Sequence, residues 1–260
     1  MSENSQILPD TVPEYLTRPV VIRAVDMRKG DSFRPHSHEW GQFTYSAKGV
    51  LNISTDFGHF TAPPAMAVWL PPGVAHSIHS VGAAEFRSIY VARHLVEGLP
   101  ESCTVLAVDA LLKNLILQAA AIPADWDEAS PESRLMMVLL DRIRCSKQAP
   151  LHLPLPTDQR LRTVTSALLE DPTDRRVLED HADFAGASAR TLARLFKSET
   201  GMTFGEWRRQ RVLLAALERL TENSSVTTVA LELGYSSPSA FIAMFRQSLG
   251  MTPTQYISER

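Results

Sequence analysis

Between residues 20 and 91, apolar and polar positions alternate in short runs, VVIRAV, FTYS, VLNIST, HFTA, AVWL and FRSIYV, separated by turn-forming pieces such as RKGD, AKG, DFG, APPA, PPG and VGA. Short runs punctuated at this spacing predict a small β-sandwich or barrel. After Pro100 the period lengthens. Residues 105–108 read as a last strand, while 110–121 and 132–145 carry Leu, Ile and Met at helical spacing and predict two helices suited to dimerisation. The stretch APLHLPLPTD (149–158) holds three prolines in ten residues, which disfavours continuous helix and stiffens the chain as a spacer. Beyond it the pattern is helical to the end, with a break at Asp171-Pro172. The expected class is α+β: a small β-barrel domain at 15–100, a helical connector and linker at 101–156, and an all-α domain at 157–260.

The last of these regions repeats itself. A shift of 49 residues superposes Phe196-Lys197 on Phe245-Arg246, Gly201-Met202-Thr203 on Gly250-Met251-Thr252, and Trp207 on Tyr256, so each copy ends F-[K/R]-x3-G-M-T-x3-[W/Y]. Two copies are too few for a solenoid, which leaves a duplicated supersecondary unit. In each copy the helix before the shared glycine has two faces at the 3.6-residue period. Leu192, Leu195 and Phe196 project together, opposite Arg190, Arg194 and Lys197. In the second copy Phe241, Met244 and Phe245 oppose Ser239, Ile242, Ala243 and Arg246. A shorter helix lies upstream, around 178–184 and 228–233, with Gly186 or Gly234 near the turn, and the pair is helix-turn-helix architecture. Ser237 suits the N-cap and Pro238 the first turn of the second long helix, so its N-terminus can meet a phosphate or a base edge. Segment 204–220, with Leu213, Leu217 and Leu220 on one side, joins the copies.

The C-terminal hundred residues, above all ALELGYSSPSAFIAMFRQSLGMTPTQY, resemble the DNA-binding domain of the AraC/XylS family of transcription regulators. The resemblance implies two helix-turn-helix units on one rigid connecting helix, each setting a recognition helix into one of two successive major-groove segments of double-stranded DNA. The first recognition helix then corresponds to 188–200, starting at Ser188. Its Arg190 and Arg194 are the base-reading candidates, since an arginine fork meets O6 and N7 of guanine together, worth about 1–3 kcal/mol of discrimination. Lys197, Arg208, Arg209 and Arg211 suit phosphates, which position without specifying. The second helix offers Ser237, Ser239, Ile242 and Arg246, able to touch a thymine methyl or a phosphate but with no strong bidentate reader. The first copy is therefore expected to carry most base discrimination, and the second register and affinity.

Bulk charge does not announce this partner. Net charge is −3, and from residue 158 to 260 thirteen Lys/Arg face thirteen Asp/Glu, so the case rests on local pattern. An apolar share of 44% with 21% charged residues fits a folded, soluble, two-domain chain. No run reaches eighteen consecutive apolar residues, and MSENSQILPD lacks the basic segment and apolar core of a secretory signal. A cytoplasmic location without a membrane partner is expected. Cys103 and Cys145 are too few for a disulfide scaffold or a Cys-rich zinc module, and read as reduced structural thiols.

The N-terminal half adds candidate chemistry. RPHSHEWGQFTYSAKG holds His36 and His38, then Gln42 and Gly49, and AVWLPPGVAHSIHS gives P-x-G-x2-H ending at His76. Alternation along a strand turns His36 and His38 to one side, and His76 can join from a neighbouring strand, making a three-imidazole site. The spacing resembles the two cupin motifs, with Gly49 and Gly73 at the matching glycines. It departs at Gln42, where glutamate is usual, and at Ser80, where asparagine is usual. Three histidines suit a divalent metal such as zinc, although the neutral amide of Gln42 is a poorer ligand than a carboxylate. The other reading makes them strand histidines hydrogen-bonded to backbone or lining a small-molecule pocket. Phe43, Tyr45 and Trp69 are candidates for an effector pocket, and Trp40, Phe43 and Trp69 suit barrel core equally well.

Together these features predict a sequence-specific transcription regulator, not an enzyme. The cupin-like domain is expected to sense a small-molecule effector and to act through dimerisation or DNA affinity. A homodimer is expected, and RNA polymerase as a partner if the protein activates; the sequence does not separate activator from repressor. A metal-dependent cupin isomerase or oxygenase with a DNA-binding tail is the second class, opposed by the missing carboxylate, which is both a usual ligand and a ready general base. An RNA-binding or purely architectural DNA protein is the third, opposed by the lack of an RNP-like aromatic sheet motif and by two helices with aligned groove faces.

Overall fold

In a computed structural model describing residues 6–8, 15–149, 151–221 and 224–258, the chain divides into two compact units. One is built from residues up to Leu151; the other runs from His152 to Ser258 and includes 57–59. Pro150, one of the three linker prolines, lies outside the described residues.

The first unit holds strands β1 (Val20–Met27), β2 (Ser32–His36), β3 (Gly41–Ser46), β4 (Leu51–Thr55), β5 (Gly58–Ala62, of which residues 60–62 belong to this unit), β6 (Met66–Leu70), β7 (His76–Ser80), β8 (Ala84–Val91) and β9 (Thr104–Ala107). Helices α1 (Ala110–Ala119) and α2 (Pro131–Arg144) follow. One sheet has the order β1-β8-β3-β6-β9; the other sets β5, β4, β7 and β2 side by side. Antiparallel register puts Gln42 opposite Tyr90 and Thr44 opposite Ser88 in the first sheet, and His36 opposite His76 in the second. Strands β2 and β7 are absent from the apolar runs and were expected only through their histidines; β2 ends at His36, so His38 follows the strand and does not lie on it. Each has a single buried aliphatic or aromatic residue, Phe33 or Ile78, among Ser, Arg, Pro and His, too few to register as an apolar alternation.

Every residue of β3 is buried, because its sheet is covered on both faces. On one face Phe43, Tyr45, Trp69, Ile89 and Val91 form a single apolar cluster with Leu112 and Ile116 of α1 and Met136, Leu139, Leu140 and Ile143 of α2. The alternate residues Gln42, Thr44 and Ser46 turn to the second sheet. Helix α1 begins where the Asp109 carboxylate accepts from the Leu112 N–H at 2.8 Å, and α2 where Ser130 caps and Pro131 fits the first turn. Both helices lay their apolar faces on their own sheet, which leaves Leu111 and Val138 as their large exposed apolar side chains. The helices expected in a connector are thus packed within the first unit.

The second unit comprises α3 (Gln159–Glu170), α4 (Leu178–Ala185), α5 (Ala189–Thr200), α6 (Phe204–Thr221), α7 (Val226–Glu232), α8 (Pro238–Leu249) and α9 (Pro253–Ser258). The Asp158 carboxylate caps α3, accepting from the Arg160 N–H at 2.9 Å, and α3 stops ahead of Pro172. Among the described residues no helix is long and apolar enough to cross a membrane.

Candidate nucleic-acid interface and histidine cluster

Helices α4 and α5, and again α7 and α8, form two helix-turn-helix pairs, and the sequence repeat marks the joints that build them. Gly201 and Gly250 end α5 and α8 with φ of 70° and 75°, the left-handed cap that lets the chain turn. Two residues later Thr203 and Thr252 open the next helices with reciprocal capping boxes. Thr203 Oγ1 accepts from the Glu206 N–H at 3.2 Å while Glu206 Oε2 accepts from the Thr203 N–H at 2.7 Å. In the second copy Thr252 and Gln255 exchange the same pair at 3.3 and 2.8 Å. The repeat's terminal aromatics close each core: Phe196 lies 6.3 Å from Trp207, and Phe245 5.8 Å from Tyr256, between ring centroids, and all four are buried. G-M-T is therefore a stop signal followed by a start signal, and the glutamate or glutamine three residues after the threonine was legible in the sequence as well.

The outer faces differ. On α5 the side chains of Arg190, Arg194 and Lys197 are exposed, and among the described residues Arg190 and Arg194 form no salt bridge. Ser188 caps α5 through its hydroxyl, which accepts from the Thr191 N–H at 3.2 Å, and Ser237 caps α8 in the same way through the Ala240 N–H at 3.3 Å. On α8 the outward residues line an open depression of about 660 Å³ formed by Ser239, Ile242, Ala243, Arg246, Gln247 and Thr252. Gln247 was missing from the outward set read off the sequence. It stands one helical turn beyond Ala243, and a glutamine amide can pair with N6 and N7 of adenine. The outer face of the second helix thus carries an exposed amide near its C-terminal end.

The four cations assigned to phosphates separate on position. Arg209 is exposed, and Lys197 donates to the Gly201 carbonyl at 2.8 Å from the surface. Arg208 donates to the Arg176 carbonyl at 3.0 Å and stacks over Phe204. Arg211 turns inward, donating from Nη2 to the Leu169 carbonyl at 3.1 Å, and burial pushes its pKa down. Arg208 and Arg211 therefore hold the domain's own backbone. A guanidinium tied in this way to α3 or to the turn before α4 keeps fewer donors for a phosphate than the exposed Arg209.

In the first unit His36, His38 and His76 come together, with ligand-capable nitrogens all within 4.8 Å of one another. Each ring is anchored through Nδ1 to a backbone carbonyl: His36 to Arg34 at 2.8 Å, His38 to Trp40 at 2.8 Å and His76 to Val74 at 2.9 Å. A carbonyl only accepts, so Nδ1 carries the hydrogen and Nε2 is left for other work. Burial lowers the pKa of His76 to about 3 and that of His38 in the same direction, which keeps both rings neutral. Gln42 Oε1 sits 2.8 Å from His38 Nε2 and 3.0 Å from His76 Nε2, while its amide nitrogen donates to Thr44 Oγ1 at 3.0 Å. Lone pairs from two rings and an amide oxygen then face one another. Either a positive charge sits among them, or the amide is turned so that its NH2 donates to both rings; the two orientations have the same shape.

The aromatic pocket candidates lie elsewhere. Phe43, Tyr45 and Trp69 are fully buried in the cluster beneath α1 and α2, on the face of the sheet opposite Gln42, and Trp69 Nε1 donates to the Pro100 carbonyl at 2.8 Å. Alternation put Phe43 and Tyr45 on one face, but the face is the helix-covered one.

Comparison with known proteins follows the same division. The profile of an AraC-like ligand binding domain matches residues 18–143, and that of a helix-turn-helix domain matches residues 181–259. The chain is 34% identical over 223 residues to the HTH-type transcriptional regulator NimR of Escherichia coli, covering 86% of this chain and 81% of that protein. It is 36% identical over 103 residues to the HTH-type transcriptional regulator RipA of Corynebacterium glutamicum, 40% of this chain and 31% of RipA. Among solved structures ToxT from Vibrio cholerae aligns over 93% of this chain and 99% of its own, at 11% identity and a TM-score of 0.41.

Proposed function

The chain belongs to the AraC family of helix-turn-helix transcription regulators, and from that premise we propose how its two DNA-reading helices divide the work. The protein is a DNA-binding regulator with a ligand-binding N-terminal domain. Helix α5 reads bases through Arg190 and Arg194. Helix α8 fixes register and affinity through Ser239, Ile242 and Arg246, with the Gln247 amide beside them. Ser188 and Ser237 set the helix N-termini toward phosphates, and Lys197 and Arg209 contact phosphates directly. The observation that carries this reading is the pair of matched inner faces beneath unmatched outer ones. The sensing and dimerising part spans 15–100 with the helical segment 101–156, and the DNA-binding part is 157–260. Leu111 and Val138 give α1 and α2 an apolar surface for a homodimer. The protein acts in the cytoplasm and contacts RNA polymerase where its site lies beside an activated promoter.

A DNase footprint on DNA upstream of the protein's own gene tests this, at stated salt because phosphate contacts make affinity salt-dependent. Protection spanning two adjacent major-groove segments is expected, weakened in Arg194→Ala. Protection no better than on random duplex at any salt, with or without zinc, would contradict it.

The histidine cluster is the second part of the proposal. His36, His38 and His76 through Nε2, and Gln42 through Oε1, hold a divalent cation such as zinc. The fit rests on the three Nδ1 anchors, which leave each Nε2 without its hydrogen, and on the closeness of Gln42 Oε1 to two of those Nε2 atoms. Bound there, the cation supplies Lewis acidity. The protein's own residues orient it, and the cluster contains no carboxylate among the described residues to act as general base. The site is read as a sensor and not as a catalyst.

A further inference from the structure

Resting on that cation reading, we propose that the effector of the N-terminal domain is a small carboxylate that binds the cation directly and takes a hydrogen bond from Ser88. Charge carries the first half. The donor set is three neutral imidazoles and a neutral amide, and no Asp or Glu joins the cluster among the described residues. A divalent cation here keeps both positive charges in a buried setting: His76 and Gln42 are 2% and 1% exposed. Buried charge is costly unless paired, so an anion is the ligand that completes the site. Four protein donors leave room for it on a five- or six-coordinate ion.

Ser88 carries the second half. Its hydroxyl is buried without a hydrogen-bond partner among the described residues, a deficit of about 1–3 kcal/mol for a polar group. On β8 it shares a face with Tyr90, whose ring stands edge-on to His38 with centroids 5.8 Å apart. Across the ladder it is paired with Thr44, whose Oγ1 accepts from the Gln42 amide. Gln42, Thr44 and Ser88 thus follow one another from the histidines to a buried hydroxyl that has no partner among the described residues. A carboxylate carrying a further oxygen, such as a short hydroxy acid, satisfies both ends. Gln42 in this account is a selector: a glutamate would cancel one charge and weaken the demand for an anion.

The test uses metal-free full-length protein, Co(II) as a spectroscopic probe, and lactate against its neutral isostere lactamide. Wild type is expected to bind one Co(II), and lactate but not lactamide should shift the visible bands saturably. Gln42→Glu should keep Co(II) and lose lactate affinity at least tenfold. Ser88→Ala should keep Co(II) and lose lactate affinity several-fold with the initial Co(II) spectrum unchanged. Equal responses to lactate and lactamide, or undiminished lactate affinity in Gln42→Glu, would overturn this inference while leaving the cation site standing. Failure of wild type to bind Co(II) would overturn the cation site and this inference together, and would assign the Gln42 NH2 to the two rings.

Discussion

The two helix-turn-helix units share a core and differ at the surface. Helix α5 buries Leu192, Leu195 and Phe196, and α8 buries Phe241, Met244 and Phe245. Each ends on a left-handed glycine followed by a capping box, and each closes on a large aromatic ring. Outside, α5 presents Arg190, Arg194 and Lys197, whereas α8 presents Ser239, Ile242, Ala243, Arg246 and Gln247. What the fold needs is the same in both copies, so the inner faces match. Under the proposed division of labour the two helices meet different groove segments, and the outer faces diverge accordingly.

The largest effects test the shared half of that comparison. Phe196→Ala and Phe245→Ala should each destabilise the DNA-binding domain by about 3–5 kcal/mol in denaturant unfolding, because each removes a fully buried ring. Clearly unequal losses would mean the cores are not equivalent. Next comes the divided half. Arg194→Ala should cost about 1–3 kcal/mol against the preferred site and relax choice at one base pair, measured by fluorescence anisotropy on single-base variants of the footprinted site. Gly201→Ala and Gly250→Ala should each cost about 1–2 kcal/mol of stability, since both glycines hold positive φ with open space around the missing Cβ, and the penalty is backbone strain alone. The smallest effect belongs to Arg209→Ala: binding should weaken uniformly across sequences, and the slope of log affinity on log salt should fall by about 1. Arg211→Ala should instead lower thermal stability and leave the salt slope alone, which separates the two neighbouring arginines on α6.

Much of the helical unit was legible because period and register speak directly. Aromatic spacing, glycine stops and threonine starts recur at a fixed offset, and each has a local physical cause. The β-unit was harder to read where burial is two-sided. Strand β3 is buried throughout, so its alternation separates Phe43 and Tyr45 from Gln42 and Thr44 without saying which set faces the second sheet. That depends on α1 and α2 covering the far side, which no local pattern records. Strands β2 and β7 escaped the apolar pattern for the opposite reason, too little apolar content, and were marked only by His36 and His76. The histidine spacing located the cluster even so. Burial of Arg211 was likewise unreadable, because an arginine beside an apolar helix face is equally compatible with solvent.

The division of labour between α5 and α8 is tested most directly by selecting bound sequences from a randomised duplex library at fixed salt, with wild type, Arg194→Ala and Ile242→Ala in parallel. Loss of preference at one position in the first groove segment with Arg194→Ala, and an unchanged preference profile at lower affinity with Ile242→Ala, is the predicted result. An intact profile with Arg194→Ala and a collapsed one with Ile242→Ala would reverse the assignment and make α8 the principal reader.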